Sequence, residues 1–325
     1  MHKKVSVLLA AVCLTLLAFT LSAAVRFVES AHELPQSGHP QHAKYRLVLI
    51  TSDMGTPFWQ KLGTSAELEA QSLDATLEIW GSYGEDRESF LKQLEIAIDS
   101  RVDGIIVQGI DTTEFNNLTK VKAAFYGIPI ITVASDVPVE ESLRKTYVGS
   151  SPVAAGQMLA RQLVHNLGEQ GTVVLMGDNR NEYDQRQRLA GIEHVLDQYP
   201  KIHSLYVQTP EIRENIIAAT QDAMNKLPNV SAFISIDSNL TEAMVQEISQ
   251  RARVESFKIY SFDDNPDVLP LLRSGKIDGI LEQSPEMMGK VSVQMMIKWL
   301  KGSPLPIQSE GYLTDIHMRT AADEQ

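Results

Sequence analysis

RLVLITSDMGTPFWQKLGTSAELEAQSLDATLEIW, residues 46–80, holds the unit from which the rest of the chain is built. Arg46–Thr51 is a short, continuous apolar run. A helical pattern follows through Gln71, and a second run, Ala75–Trp80, completes the unit. Apolar runs of this length, bounded by turn residues and alternating with amphipathic stretches, indicate parallel strands buried on both faces and joined by crossover helices. A helix over Asp86–Ser100 comes next. The same switch of period recurs at Gly104–Gly109 (GIIVQG), Pro129–Ala134 (PIITVA), Gly171–Gly177 (GTVVLMG), Ser231–Ile236 (SAFISI), Phe257–Phe262 and Ile277–Leu281. About ten such units exceed one compact sheet. The expected fold is therefore α/β, with two Rossmann-like, doubly wound parallel-sheet lobes. Ligands of such sheets sit outside the carboxyl ends of the strands, which makes the residues just after each strand the candidates for function.

The length agrees: 325 residues correspond to about two domains at roughly 150 residues each. With 43% hydrophobic and 22% charged residues the chain is not a disordered one. Lys+Arg 29 against Asp+Glu 41 gives a net charge of −12, which argues against a nucleic-acid partner. Cys13 is the single cysteine, so neither an intrachain disulfide nor a cysteine-based zinc site exists.

Val5–Val25 carries no charged residue and lies between Lys3-Lys4 and Arg26. Its 21 residues reach the ~20 that cross a bilayer, and the two lysines place its start in the cytoplasm and the body outside. Two readings stand. An uncleaved anchor within residues 1–28 is favoured by the length of the run; a signal peptide cut after Ala24 is supported by Ser22-Ala23-Ala24. Lipidation at Cys13 fits poorly, because the apolar run continues past it. Residues 29–43, with Pro35, Gly38 and Pro40, read as a linker whose His32, His39 and His42 have nothing to fix them as metal ligands.

G-x-G-x-x-G, the P-loop, G-x-S-x-G and H-E-x-x-H are all absent. Ser142-Leu143-Arg144-Lys145 matches S-x-x-K without its companion motifs. Asp263-Asp264-Asn265-Pro266-Asp267 lacks the glycine and glutamate of a calcium loop. His165, His194, His203 and His317 are scattered and read as surface or capping residues. An enzyme is not expected.

Ser52-Asp53-Met54-Gly55-Thr56-Pro57-Phe58-Trp59 follows the first strand. Adjacent aromatics at a helix start do not share a face, so at least one is expected to leave the core and offer a stacking surface to a sugar ring; packing of both within the lobe is the alternative. This segment resembles the first-strand motif of the type I periplasmic sugar-binding proteins, the ribose/galactose/xylose group, which usually reads Asn-Pro-Phe-Phe or Asn-Pro-Phe-Trp. Gly127–Val133, Arg188-Leu189-Ala190-Gly191-Ile192, Phe262-Asp263 and Gln283-Ser284-Pro285 stand in that family's order and spacing, so the resemblance spans about Tyr45 to Tyr312.

It implies a sugar site in which Asp53 belongs to the first-strand motif and Phe58 and Trp59 sandwich the ring. Arg188 would donate to hydroxyls or the ring oxygen, Asp263 would accept from two hydroxyls, and Gln283 would both donate and accept. The plainer roles are a helix-surface pair of Arg188 with Asp184, an N-cap for Asp263 and a hinge hydrogen bond for Gln283. The sequence departs from the family at Ala134-Ser135-Asp136, where Asp136 substitutes for an aspartate two residues earlier if the segment stays extended. It departs again at Ile236-Asp237, where Asn-Asp is usual. The ligand therefore need not be ribose or xylose.

The resemblance further implies a three-strand hinge near Gly149-Ser150, Gln283-Ser284 and Tyr312–Thr314. Residues 44–150 plus 284–313 would form the N-terminal lobe and residues 151–283 plus 314–325 the C-terminal lobe. It implies no cofactor and a small saccharide ligand. The partner would be an ABC permease or, given the long uncharged segment and no lipobox, a membrane histidine kinase. A repressor of the lactose-repressor type would need a helix-turn-helix where the apolar segment stands.

Overall fold

The computed structural model describes residues 43–83, 86–180, 182–227, 229–251, 257–263, 266–303 and 311–324. Val5–Val25, residues 29–42 of the linker with its three histidines, and Asp264-Asn265 lie outside these. Among the described residues no helix is long and apolar enough to cross a membrane.

Two six-stranded sheets organise the described chain. The first runs β2 (Ala75–Gly81), β1 (Tyr45–Thr51), β3 (Gly104–Gln108), β4 (Ile130–Val133), β5 (Thr146–Gly149), β11 (Tyr312–Leu313), all parallel. The second runs β7 (Lys201–Thr209), β6 (Gln170–Asp178), β8 (Val230–Ser235), β9 (Lys258–Phe262), β10 (Gly279–Glu282), β12 (His317–Thr320). Its pairings are parallel except the last. The antiparallel β12 departs from the all-parallel expectation for a simple reason: only a few residues separate it from β11, too few for a crossover that would restore its direction. Apolar side chains cover both faces of each sheet. Leu47 and Leu49 point into one cluster of the first lobe, Val48 and Ile50 into the other, as the period of two requires.

The chain passes between the sheets three times: between β5 and the helix Pro152–Leu167, between β10 and the helix Pro285–Leu300, and between β11 and β12. Each lobe is then locked by one close helix crossing. In the first, Pro57–Ser72 is started by Thr56, whose side chain accepts from the Trp59 N–H, with Pro57 in the first turn. It turns Trp59, Leu62, Ala66 and Ala70 inward and meets Pro285–Leu300 where Gly289 faces the Leu62 carbonyl. In the second, Pro152–Leu167 meets Tyr183–Leu196, with Gly156 against the Arg188 carbonyl and Gly191 against that of Val153. A Cβ at any of these glycines would strike backbone. The carboxyl ends of both sheets face one another across the cleft. His165, His194, His203 and His317 are all exposed.

Candidate functional site

The cleft encloses a cavity of about 230 Å³ lined by residues of both lobes. That is just below the ~300–1,000 Å³ of sites for drug-sized molecules, and suits a single small ring. The lobes touch across it. Arg87 Nη2 lies 3.1 Å from Glu182 Oε1, Arg186 Nη2 2.7 Å from Asp111 Oδ2, and Ser135 Oγ donates to Asp184 Oδ2 at 3.4 Å.

The first lobe supplies aromatic and neutral polar groups, together with Asp53 and Arg87. Asp53 lines the cleft, and its Oδ1 accepts from the Gly55 N–H at 2.8 Å, shaping the turn that delivers Phe58 and Trp59. Both aromatics line the cleft, with ring centroids 5.4 Å apart and planes at 85°. Perpendicular planes cannot both lie face-on to one flat ring, so the expected sandwich is limited to one face and one edge from this pair. Trp59 is moreover only 9% exposed and belongs to the lobe's core cluster, with the partly buried Phe58 packed against that cluster. It packs and lines the cleft at once. Gln108, at the end of β3, uses Oε1 to accept from the Ser52 N–H and Oγ at 3.1 and 2.6 Å.

The second lobe supplies charge. Arg188 lines the cleft yet is 6% exposed. Its guanidinium carbon stands 3.3 Å over the centre of the Phe262 ring, Nη1 donates to the Ile236 carbonyl, and Nη2 lies 3.7 Å from Asp184. The Asp184 pair exists, but Arg188 is no surface residue, and its Nε is buried without a partner. Asp263 follows β9 in a left-handed conformation, φ +64°, a region that aspartate enters more readily than most residues. Its Oδ1 accepts from Gln283 Nε2 at 2.7 Å, and Gln283 Oε1 accepts from Ser150 Oγ at 2.5 Å. Gln283 thus joins two of the crossovers to the cleft wall and makes the hinge hydrogen bond. Asp237 caps the next helix through the Asn239 N–H at 3.0 Å and accepts from Gln185 Nε2 at 3.1 Å. Burial pushes its carboxyl above the usual range.

Asp136 does not share the cleft wall. Its carboxylate is held by Arg144 Nη2 at 2.5 Å and Thr132 Oγ1 at 2.6 Å, beneath the loop. Extended geometry would have kept it on the ligand side, but Ala134 takes φ +64° and breaks the alternation, so Ser135 faces the cleft instead.

Sequence reasoning missed Gln185, Arg180 and Glu182. Gln185 Nε2 bridges Asp178 Oδ2 at 2.9 Å and Asp237, while its buried Oε1 accepts nothing. The signal was the i, i+3 spacing of Gln185 and Arg188 at a helix start after a strand. Asp178, Glu211 and Asp237 place carboxylate oxygens within 4.8 Å of one another, a set able to hold a cation. Arg180 serves there already, 2.6 Å from Asp178 and 2.5 Å from Glu211. Against the cost of burial, its charge and hydrogen bonds hold the Asp178 carboxyl below the usual range. Glu182 goes the other way: burial first, then repulsion by Asp184 and Asp178, raise it to about 7 despite Arg180 and Arg87.

Residues 47–304 match the family model described as periplasmic binding protein domain. The ribose import binding protein RbsB of Bacillus subtilis is 23% identical over 299 residues, covering 90% of this chain and 92% of that one. Among solved structures, the glucose-galactose binding protein GanP of Geobacillus stearothermophilus superposes with a TM-score of 0.79 at 26% identity, over 86% of this chain and 98% of its own. A structure titled XylFII-LytSN complex gives 0.74 at 24% identity, over 86% and 99%.

Proposed function

The chain belongs to the periplasmic binding protein family, and from that membership and the shape of its cleft we propose that it is an extracytoplasmic protein that closes on a small saccharide. The carrying observation is that each lobe holds half of the site. Phe58, Trp59 and Ser135 face Arg188, Asp237 and Asp263 across a cavity of one ring's size. A ligand touching both walls favours the closed arrangement over the open one by its differential contacts. Aromatic surface removes the C–H face of a sugar from water, and the charged groups orient its hydroxyls through bonds of about 1.5–3 kcal/mol each. The names of the relatives, ribose import and glucose-galactose binding proteins, support a saccharide over other small solutes. Titration calorimetry of the full chain against aldopentoses, aldohexoses and inositols tests this. At least one is expected to bind at micromolar or tighter Kd with a fall in radius of gyration; no binding by any saccharide overturns the reading.

The finer part of the proposal is that Val5–Val25 stays attached and that the closed body reports to a membrane partner such as a histidine kinase. The uncharged length of the segment supports retention. Tethering raises the effective concentration at a membrane receptor, and the neighbour titled XylFII-LytSN complex offers a chain of this fold named with a second protein. Delivery to an ABC permease is the second reading, favoured by the import function in the name of the Bacillus relative. Mass measurement on protein from its native cells separates them: a soluble form beginning at Val25 overturns the anchor, whereas membrane retention with saccharide-dependent crosslinking to a kinase supports it.

A further inference from the structure

The two walls of the cleft differ in charge as well as in polarity. Asp53, Glu182, Asp184, Asp237 and Asp263 line it against Arg87, Arg180 and Arg188. Asp178 and Glu211 stand directly behind, both on Arg180. Seven carboxylates therefore share three guanidiniums. The guanidiniums are committed: Arg87 to Glu182, Arg180 to the rear pair, Arg188 to Asp184 and the Ile236 carbonyl.

Asp237 is in none of these pairs. Both of its hydrogen bonds come from neutral groups, the Gln185 amide and the Asn239 N–H. Gln185, 5% exposed and itself on the cleft wall, keeps Oε1 buried without a donor. A carboxylate that Arg188 and Arg180 reach only at longer range, with no cation in contact, and a buried amide oxygen without a donor are both costly, and one group relieves both: a cation with several N–H donors. A hydroxyl offers a single donor and no charge.

We infer that the native ligand is a saccharide or cyclitol bearing a primary ammonium group, seated against Asp237 and Gln185. This rests on the saccharide reading and names the class within it. The rest of the ring then lies toward Phe58 and Trp59, and Arg188 with its spare Nε–H takes a hydroxyl or ring oxygen. Burial raises the carboxyls of Asp237 and Glu182, and a cation seated beside them would act in the opposite direction.

Calorimetry on the full chain with matched sets decides the matter: glucose, glucosamine and N-acetylglucosamine; the corresponding galactose and mannose sets; and myo-inositol with a monoamino-inositol. N-acetylation keeps the nitrogen and removes the charge. In at least one set the amine is expected to bind tenfold or more tighter than both the neutral parent and the acetylated form. Asp237→Asn, which retains the capping oxygen, is expected to cut that amine-to-parent ratio at least tenfold. A parent or acetylated sugar that binds as well as its amine in every binding set overturns the inference and leaves the saccharide reading standing. An amine preference that survives Asp237→Asn overturns the assigned seat. Failure of every compound to bind removes both readings. Should the variant not fold, the wild-type sets alone decide the class.

Discussion

The two lobes repeat one backbone and carry different chemistry. After β4 in the first lobe and β9 in the second, the chain turns through a left-handed residue at φ +64°, whose N–H bonds to the neighbouring strand: Ala134 to the Val148 carbonyl, Asp263 to that of Leu281. After β1 and β6, an aspartate closes a turn on the N–H two residues ahead, Asp53 on Gly55 and Asp178 on Arg180. In each lobe a glycine lets two helices cross with backbone in contact. The side chains diverge on this shared frame. Where the second lobe presents the Asp263 carboxylate, the first presents a methyl group; where the second places Arg180, the first places Gly55. One lobe thus provides apolar ring contact merged with its core, and the other a charged wall that fixes orientation. Equivalent backbone positions set where a group can stand, while the residue there decides what it does.

Substitutions can break this contrast, beginning with the largest effect. Trp59→Ala should cost about 3–5 kcal/mol of stability, as for other buried aromatics removed from a core, visible as a fallen melting temperature of the first lobe along with lost saccharide binding. A melting temperature within a degree of wild type would show that Trp59 serves the ligand alone. Arg188→Ala, the counterpart on the charged wall, is expected to weaken ligand binding by about 1.5–3 kcal/mol in calorimetry through the loss of a charge-assisted donor. Its effect on stability should be the smaller of the two.

Glycine crossings probe the shared frame. Gly156→Ala and Gly289→Ala should each destabilise by about 1–3 kcal/mol through overpacking. Only Gly156→Ala should also weaken the ligand beyond this, because the carbonyl it displaces is that of Arg188. Equal affinity losses in both variants would erase the distinction between the lobes.

Acidity gives a smaller, signed effect. The Glu182 carboxyl rises from 4.5 to about 7 in the folded lobe. The folded form thus holds a proton that the unfolded chain gives up, and stability falls as pH rises between those values, then levels off. Glu182→Gln should flatten that slope by about 1–2 kcal/mol across the interval in denaturant titrations, after discount for its partial exposure. A slope unchanged by the substitution would assign the titration to another group. The smallest effect is expected at Ala134→Gly. Relief of a left-handed alanine, about 1–2 kcal/mol, is offset in part by the ~0.5–1 kcal/mol that glycine adds in chain entropy, leaving a gain of at most about 1.5 kcal/mol. No such gain can be had at Asp263, whose carboxylate is in use.

The sequence by itself determined the alternation of strands and helices and the strand ends at which function gathers. Runs such as Leu47–Ile50 and Ile105–Val107 are buried on both faces and so read as unbroken apolar segments. β7 was not legible, because an edge strand with most of its residues exposed or partly exposed loses that run, and β5, β11 and β12 are short and mixed in composition. Arg188, Asp237, Asp263 and Gln283 could be named from their places after strands and in the family's pattern. Only the tertiary structure decided that Asp136 pairs with Arg144, that Trp59 is shared between core and cleft, and that Asp178, Gln185, Glu211 and Asp237 form one cluster. Periodicity reports which side of its own strand or helix a residue faces. Convergence depends on the order of β7, β6 and β8 in the sheet and on a single left-handed turn, and neither the pairing of distant strands nor one residue's φ is written in the local pattern.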